Sequence, residues 1–145
     1  MLWSFPTKSR IEAGPAYRQG SVFFGSCDGR FYRVNAETGK EVWSYQTPKS
    51  QGASTAIYSA PLCTEDAVYF GSFDGHLYCL RIDNGQLKWR IQPVKGSEIT
   101  GSPLTDGRRI VLAIRRNLEK QGQDAIVVIG EEERKGPPVR DSSSP

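Results

Sequence analysis

The chain has 145 residues, a net charge of +3 and a hydrophobic fraction of 37%, which is enough material for one domain with a core. Its fifteen glycines and nine prolines exclude a coiled coil or a helix bundle and favour short strands joined by tight turns. No apolar run is long enough to span a membrane, no secretory signal pattern opens the chain, and the mild charge argues against a nucleic-acid partner. The cellular compartment is left open.

Predicted strands recur along the chain in groups of four, here labelled A to D. Strand A is short and carries a proline, strand B is almost wholly apolar, and strands C and D complete the group. The predicted ranges are 13–17, 57–63 and 99–104 for A; 21–26, 67–72 and 110–114 for B; 30–35, 76–82 and 125–129 for C; and 41–46 and 86–92 for D. The third group has no recognisable D strand.

An internal repeat underlies these groups, because residues 22–43 align without a gap on residues 68–89. The repeated Asp-Gly pairs predict type I′ hairpin turns between strands B and C. The repeated tryptophans close the D strands, and we expect both to be substantially buried at the interface with the next unit. The structural positions of the repeat are Gly25, Asp28, Gly29, Gly39 and Trp43, and their counterparts Gly71, Asp74, Gly75, Gly85 and Trp89.

A four-stranded unit of this length, repeated in tandem, is typical of a β-propeller blade. The sequence therefore predicts an all-β fold, a partial β-propeller of about two and a half four-stranded antiparallel blades over residues 1–130. Residues 131–145 carry too few apolar side chains to offset the entropy of ordering them, so a disordered tail is predicted there.

Residues Gly25–Trp43 and Leu77–Trp89 resemble the PQQ-like (quinoprotein-type) propeller repeat, whose general pattern is Gly-Ser-x-Asp-Gly-x-Leu-Tyr-Ala-Leu-Asp-Ala-x-Thr-Gly-x-x-x-Trp. The resemblance covers about residues 2–114. Asn35 and Arg81 stand where the pattern has its second aspartate, and Asn84 stands where it has threonine. The family contains quinone-dependent dehydrogenases, outer-membrane assembly lipoproteins, and propeller domains attached to kinases or adenylating enzymes.

The resemblance implies that a dehydrogenase of this family would need an adjacent cysteine pair, a calcium-binding carboxylate cluster and an aspartate base. Cys27, Cys63 and Cys79 are isolated in sequence and are expected to be small buried apolar residues. The aspartates of the two Asp-Gly pairs are expected to form turns, and His76, the only histidine, is expected to be an exposed strand residue. The sequence thus predicts no catalytic residue, no cofactor and no metal.

The function predicted first is that of a non-catalytic propeller segment, acting as a scaffold or protein-interaction module. The alternatives are a fragment of a quinoprotein dehydrogenase and a sensor or accessory domain of a kinase or adenylating enzyme. The repeat units differ in the length of one D–A connection and of one B–C connection. Both connections lie at the same end of an up-and-down blade. Because loops carry function more often than their scaffold, a binding face is predicted there, near Lys49, Gln51, Arg115, Arg116 and Lys120.

The predicted blades are too few for a closed ring, which takes about four to eight. Their neighbours are therefore expected to be further blades of a longer chain or other copies of this chain, in a ring of two or three subunits. Residues 3–5 echo a D strand that precedes the first unit. We also expect them to pair with residues 125–129, where the third unit lacks its D strand.

Overall fold

The protein is all-β in a computed structural model that describes residues 1–49, 52–116 and 123–134. These residues contain no helix and form three four-stranded sheets. The predicted tail beyond residue 134 lies outside the described residues. Residues 131–134 form a turn directly after the last strand. The described part of the chain has no helix long and apolar enough to cross a membrane.

Each sheet is an antiparallel meander, and the three follow one another along the chain. The first has the order β1-β2-β3-β4, the second β5-β6-β7-β8, and the third β10-β11-β12, with β9 also paired to β11. The strands are β1 (Ala16–Arg18), β2 (Ser21–Gly25), β3 (Arg30–Asn35), β4 (Glu41–Gln46), β5 (Leu62–Cys63), β6 (Ala67–Gly71), β7 (Leu77–Arg81), β8 (Leu87–Ile91), β9 (Ser97–Ile99), β10 (Leu104–Thr105), β11 (Ile110–Arg116) and β12 (Ala125–Ile129). The predicted fold class of two complete blades and an unfinished third is confirmed.

The first strand of each sheet is shorter than predicted. In the third sheet the predicted strand is split, because β9 and β10 pair with opposite ends of β11. Pro61 and Pro103 lie just before β5 and β10, and neither residue has an N–H to donate to a ladder. The residues before them turn to the neighbouring sheet, where the Ile57 N–H donates to the carbonyl of Ser26 at 3.2 Å.

The predicted type I′ turns at the Asp-Gly pairs are wrong. Gly29 and Gly75 have positive φ, but the aspartates before them do not. The glycine N–H groups donate to Ser26 and Ser72, three residues earlier, at 3.1 and 3.0 Å. The two consecutive positive φ values of a type I′ turn occur instead at Gln19 and Gly20, between β1 and β2.

The core lies between the sheets. Phe31 of the first sheet stacks on Phe70 of the second, with ring centroids 4.4 Å apart, and both side chains are fully buried. A second cluster joins Leu77 of the second sheet to buried apolar residues of β11 in the third sheet, namely Ile110, Leu112 and Ile114. Each interface therefore packs one sheet face to face on the next, as adjacent propeller blades require.

A tryptophan on the outer strand ties each sheet to its neighbour. The indole N–H of Trp43 donates to the carbonyl of Ile82 at 3.1 Å, and a Cβ added at Gly85 would lie 2.6 Å from the indole ring. Trp89 occupies the equivalent place on β8, opposite Cys79 as Trp43 is opposite Arg33. Both tryptophans are partly buried rather than buried, because an outer strand leaves one side of the ring in solvent.

The expected pairing of residues 3–5 with β12 does not occur within the chain. These residues lie instead against the first sheet, where the Trp3 indole N–H donates to the carbonyl of Ala36 at 2.9 Å. Phe5 packs edge-on against Phe24 and Tyr32, with centroids 5.9 and 5.4 Å away. The first and third sheets are at opposite ends of the stack, so one short segment attached to the first cannot also reach the third.

Candidate functional site

The turns between β2 and β3 and between β6 and β7 are built around an aspartate. Asp74 accepts a hydrogen bond from the His76 N–H at 2.9 Å and another from the Tyr78 hydroxyl at 2.6 Å. In the first sheet Asp28 makes the same two bonds, from the Arg30 N–H at 2.9 Å and the Tyr32 hydroxyl at 2.8 Å. The aspartates are turn formers as expected, and their second oxygen anchors a tyrosine from the following strand.

Asp74 is held as a carboxylate although its side chain is only 4% exposed. Burial alone would raise its pKa, but the hydrogen bonds from His76 and Tyr78 outweigh burial and lower the pKa below its usual range. Burial, followed by the bond to Asp74, raises the pKa of Tyr78 above its ordinary value. The pair therefore stays as anion and neutral phenol around neutral pH, which suits a structural hydrogen bond rather than a proton transfer.

His76 is half-buried, not the exposed strand residue expected from the sequence. Its side chain is 28% exposed, and its Nδ1 lies 3.3 Å from an Asp74 oxygen without the alignment of a hydrogen bond. The ring tilts against that of Tyr78, with centroids 6.0 Å apart. The neighbouring Tyr78 ring and Asp74 carboxylate account for the reduced exposure of the imidazole.

A cavity of about 390 Å³ opens beside this turn. Three segments enclose it: the connection from β4 to β5, the turn from β6 to β7, and the connection from β8 to β9. This is the loop end of the blades, meaning the end that carries the D–A and B–C connections. The lining residues are Gly52, Ala53, Ser54, Phe73, Asp74, His76, Gln92, Gly96, Ser97 and Glu98.

Backbone hydrogen bonds between the three segments hold the cavity walls in place. The Ile99 N–H donates to the carbonyl of Ser72 at 3.2 Å, and the Phe73 N–H donates to the carbonyl of Ala56 at 2.9 Å. A Cβ at Gly75 would collide with the carbonyl of Ser97, so only glycine allows this close approach. Adjacent blades therefore share the surface at the loop end.

Only some of the residues predicted to bind a partner lie near this cavity. Lys49 is exposed in the β4–β5 connection, and Arg115 lies with its Nε 3.9 Å from a carboxylate oxygen of Glu98 on the cavity wall. Arg116 ends β11, where its backbone pairs with Ser97. Gln51 and Lys120 lie outside the described residues. The sequence did not single out Glu98 or Phe73, because only the tertiary fold brings them to one cavity.

The three cysteines are unpaired in the structure. Cys79 is buried as expected, whereas Cys27 and Cys63 are only partly buried. Burial raises the pKa of Cys79 to about 12 and that of Cys63 to about 11, so neither thiol is a reactive thiolate at neutral pH. These side chains serve packing.

The outward face of the third sheet is a second candidate surface, because it is apolar and uncovered. Ile126 and Val128 on β12 are 69% and 53% exposed, and Leu104 on β10 is 67% exposed. Val111 lies between them, paired with Leu104 on one side and Val128 on the other. Clusters of exposed apolar side chains on one face mark interaction sites more often than scattered ones do.

The described residues do not fit a quinone site of the dehydrogenase kind. Within residues 1–49, 52–116 and 123–134, no group of three or more histidines, cysteines or acidic residues could hold a metal ion. Asp28 and Asp74 are engaged by tyrosines and turn amides, and the cysteines are far apart in sequence. No reaction step through a quinone follows from this part of the chain.

Comparison with known protein families gives a match along most of the chain. The family model described as "Outer membrane protein assembly factor BamB" matches residues 1–133. Among curated proteins, an alcohol dehydrogenase (quinone) subunit of Gluconobacter oxydans is 39% identical over 61 residues, covering 34% of this chain and 8% of that protein. The quinohemoprotein alcohol dehydrogenase of Comamonas testosteroni is 41% identical over 51 residues, covering 35% of this chain and 7% of that protein.

Solved structures show the same fold. BamB from Moraxella catarrhalis superposes with a TM-score of 0.69 at 20% identity, covering 87% of this chain and 36% of that one. The quinohemoprotein alcohol dehydrogenase from Comamonas testosteroni superposes with a TM-score of 0.73 at 19% identity, covering 86% of this chain and 20% of that one. The chain therefore spans about a third or less of the propeller proteins that it resembles.

Proposed function

The chain belongs to the PQQ-like propeller family whose model is described by BamB, and on that premise we propose that it is a protein-interaction module that binds a partner at the loop end of its blades. The observation that carries this proposal is the cavity of about 390 Å³ formed where connections from adjacent blades meet. A concave surface walled by loops is a usual place for binding on a repeat scaffold.

The lining chemistry suits a protein segment. Phe73 supplies an apolar wall and Glu98 supplies a carboxylate, while the 4% exposed Asp74 already accepts hydrogen bonds from the His76 N–H and the Tyr78 hydroxyl. The Glu98 side chain is 19% exposed, and Arg115 lies beside it at the rim of the cavity. Lys49 is exposed on the β4–β5 connection. The interior thus favours a cationic or hydrogen-bond-donating side chain, and the basic rim favours acidic groups on the partner.

The experiment is affinity capture with a matched charge control. The full chain is immobilised, the proteins retained from its own cells are identified, and capture is repeated with Lys49, Gln51, Arg115, Arg116 and Lys120 all changed to alanine. The control changes Lys40, Arg81, Arg108 and Arg109 to alanine, which removes the same number of cations, all exposed, from the opposite end of the blades. The proposal expects a specific partner that is lost with the first variant and kept with the second. A partner retained equally by both would contradict it.

The second candidate is a propeller segment of a quinoprotein dehydrogenase, and the 39% and 41% identities to such enzymes favour it. In that case the catalytic groups would come from blades outside these three sheets. Sequencing the gene on both sides of this segment tests it. Flanking blades with an adjacent cysteine pair and a carboxylate cluster would support a dehydrogenase role, and flanking sequence without them would leave the interaction module as the better account.

A further inference from the structure

We propose that the loop-end cavity binds the guanidinium group of an arginine on the partner, and that His76 makes this binding depend on pH. Neutral His76 accepts a hydrogen bond from the bound group, and protonated His76 repels it. This inference rests on the proposed function, because it concerns the same cavity, and it adds the chemical class of the bound side chain and a means of release. Three observations support it: the surroundings of the imidazole, the acceptors on the cavity walls and a contrast between the two repeats.

The first observation is that one nitrogen of the His76 ring is buried against a carboxylate. In the described part of the chain, Nδ1 has no hydrogen-bond partner, and it lies 3.3 Å from an Asp74 oxygen. Asp74 stays ionised, because it accepts hydrogen bonds from the His76 N–H and the Tyr78 hydroxyl. A negative oxygen at this distance attracts a proton on Nδ1 and repels a lone pair there. Neutral His76 therefore carries its proton on Nδ1, which leaves Nε2 as an acceptor.

The second observation is that the accessible polar groups of the cavity accept hydrogen bonds. The His76 side chain is 28% exposed although its Nδ1 is buried, so the edge of the ring that faces the cavity is the one with Nε2. Glu98 adds a carboxylate, whose Oε2 lies 3.9 Å from the Arg115 Nε, too far for a hydrogen bond. Phe73 adds an aromatic ring, and the faces of such rings attract cations. These walls favour a cation that donates hydrogen bonds.

A guanidinium group matches this arrangement better than an ammonium group does. Its five N–H donors form a planar fork, so one group can bond both a carboxylate and an imidazole while its flat face lies on an aromatic ring. It is also more weakly hydrated than an ammonium, so it loses less on entering a partly enclosed cavity. The wall formed by Gly52, Ala53 and Ser54 carries no charge that would oppose it.

The third observation is a contrast between the two repeats at this position. Arg30 in the first sheet is the counterpart of His76, directly after the same Asp-Gly pair. The Arg30 guanidinium is engaged within its own sheet, where it donates to Ser44 at 3.2 Å and to Gln46 at 3.4 Å. The second repeat has Arg90 in place of Ser44. It thus replaces a permanent cation by a side chain whose charge depends on pH, at the turn that borders the cavity.

Protonation of His76 reverses the character of this wall. Both nitrogens of an imidazolium are donors, and its positive charge repels a guanidinium. Histidine is the side chain that ordinarily changes its charge between about pH 5 and 8, and His76 is the only histidine in the chain. Binding should therefore weaken as the pH falls through this range. The charged and titratable groups around the imidazole, from its own turn and β7, from β8, from β9 and from β11, are Asp74, Tyr78, Arg90, Glu98 and Arg115.

The first test uses N-acetyl-arginine N-methylamide as the probe and the corresponding citrulline compound, its neutral isostere, as the control. Each is titrated into the full chain, and the ring C–H signals of His76 are followed by NMR. A hydrogen bond to a charged group is worth about tenfold or more in affinity. The arginine probe should therefore bind at about pH 8 and at least about tenfold more weakly at about pH 5. No binding of this probe at the higher pH, equal binding at both pH values, or equal binding of the citrulline probe would overturn the proposal.

The second test separates His76 from the carboxylates. His76→Gln keeps an acceptor that does not titrate, so the arginine probe should bind this variant equally at both pH values. His76→Arg introduces the residue of the first repeat, a permanent cation, and should abolish binding at both. Arg30→Gln, the matched change at the equivalent turn of the first sheet, should behave as the parent does. If His76→Gln loses affinity in acid as the parent does, another group controls binding and the proposal is wrong.

Partner capture at the two pH values distinguishes a failure of this inference from a failure of the proposed function. A partner released in acid from the parent chain but retained by His76→Gln would support both. A partner retained equally by the parent at both pH values would overturn the inference and leave the proposed function standing. Capture of no partner would count against the proposed function alone, because the probe titration decides the inference without a partner.

Discussion

The Tyr78 hydroxyl donates to the Asp74 carboxylate at 2.6 Å, across the turn that separates β6 from β7. The ring of Tyr78 is fully buried and stacks on Phe70 with centroids 5.1 Å apart. One side chain therefore joins the apolar interface between sheets to the polar turn at the loop end. The same link recurs between Asp28 and Tyr32 at 2.8 Å.

Removing the Tyr78 hydroxyl tests how much this link contributes. Tyr78→Phe keeps the ring but leaves a buried carboxylate with one donor fewer, and hydrogen bonds to charged groups are worth about 1.5–3 kcal/mol. We expect the free energy of unfolding in urea to fall by about 2 kcal/mol. Tyr32→Phe, the matched change in the first sheet, should shift it in the same direction. Unchanged midpoints in both variants would show that the bond adds no stability.

The lowered pKa of Asp74 predicts a loss of stability in acid. The carboxyl of the unfolded chain takes up its proton at a higher pH than that of the folded chain, so the stabilisation is present above the unfolded pKa of about 4 and is lost as pH falls through the folded value. Asp74→Asn should weaken the dependence of the free energy of unfolding on pH in this acid range. Unfolding midpoints measured at pH 7, 5 and 3.5 test it, and a variant with the same acid slope as the parent would contradict the assignment.

Gly85 tests the tryptophan contact separately from backbone strain. Gly85→Ala adds a Cβ 2.6 Å from the Trp43 ring at a residue with φ of +74°. Gly52→Ala adds one at φ of +80° with no atom within 4 Å, so it carries the left-handed penalty of about 1–2 kcal/mol alone. We expect Gly85→Ala to lower the melting temperature clearly more than Gly52→Ala does. Equal shifts in the melting temperature would mean that the indole moves aside without a loss of stability.

Trp43 combines packing with a hydrogen bond, and two substitutions divide them. Trp43→Phe removes the bond to Ile82 together with part of the indole ring, and should cost at least about 1 kcal/mol, the usual worth of such a bond. Trp43→Ala also removes the ring from between the sheets and should cost about 3 kcal/mol, the lower end of the range for a buried tryptophan, because the ring is only partly buried. Thermal melts followed by circular dichroism provide the measurement. A Trp43→Ala variant that melts with the parent would show that this tryptophan does not join the sheets.

The sequence by itself determined the repeat, and with it most of the strands. Strands β3, β4 and β12 begin and end where the pattern predicts, because alternating apolar residues and glycine turns are local signals that survive in any packing. The sequence also showed where glycines recur, because Gly25 and Gly39 have counterparts at the same spacing in the second unit. It did not show why glycine is needed there. A Cβ at Gly25 would meet Ile57 and one at Gly85 would meet Trp43, and both contacts cross between sheets.

Only the tertiary structure decided which distant segments meet. Two predictions are wrong for this reason: residues 3–5 lie on the first sheet rather than on β12, and β9 and β10 divide what the sequence pattern indicates as one strand. The cavity residue Glu98 is part of no sequence motif. The sequence marks Asp74 as a turn residue, but its spacing does not reveal the hydrogen bond from the Tyr78 hydroxyl to the Asp74 carboxylate. Hydrogen bonds and close contacts between sheets depend on geometry in three dimensions, whereas strand periodicity depends only on the order of residues.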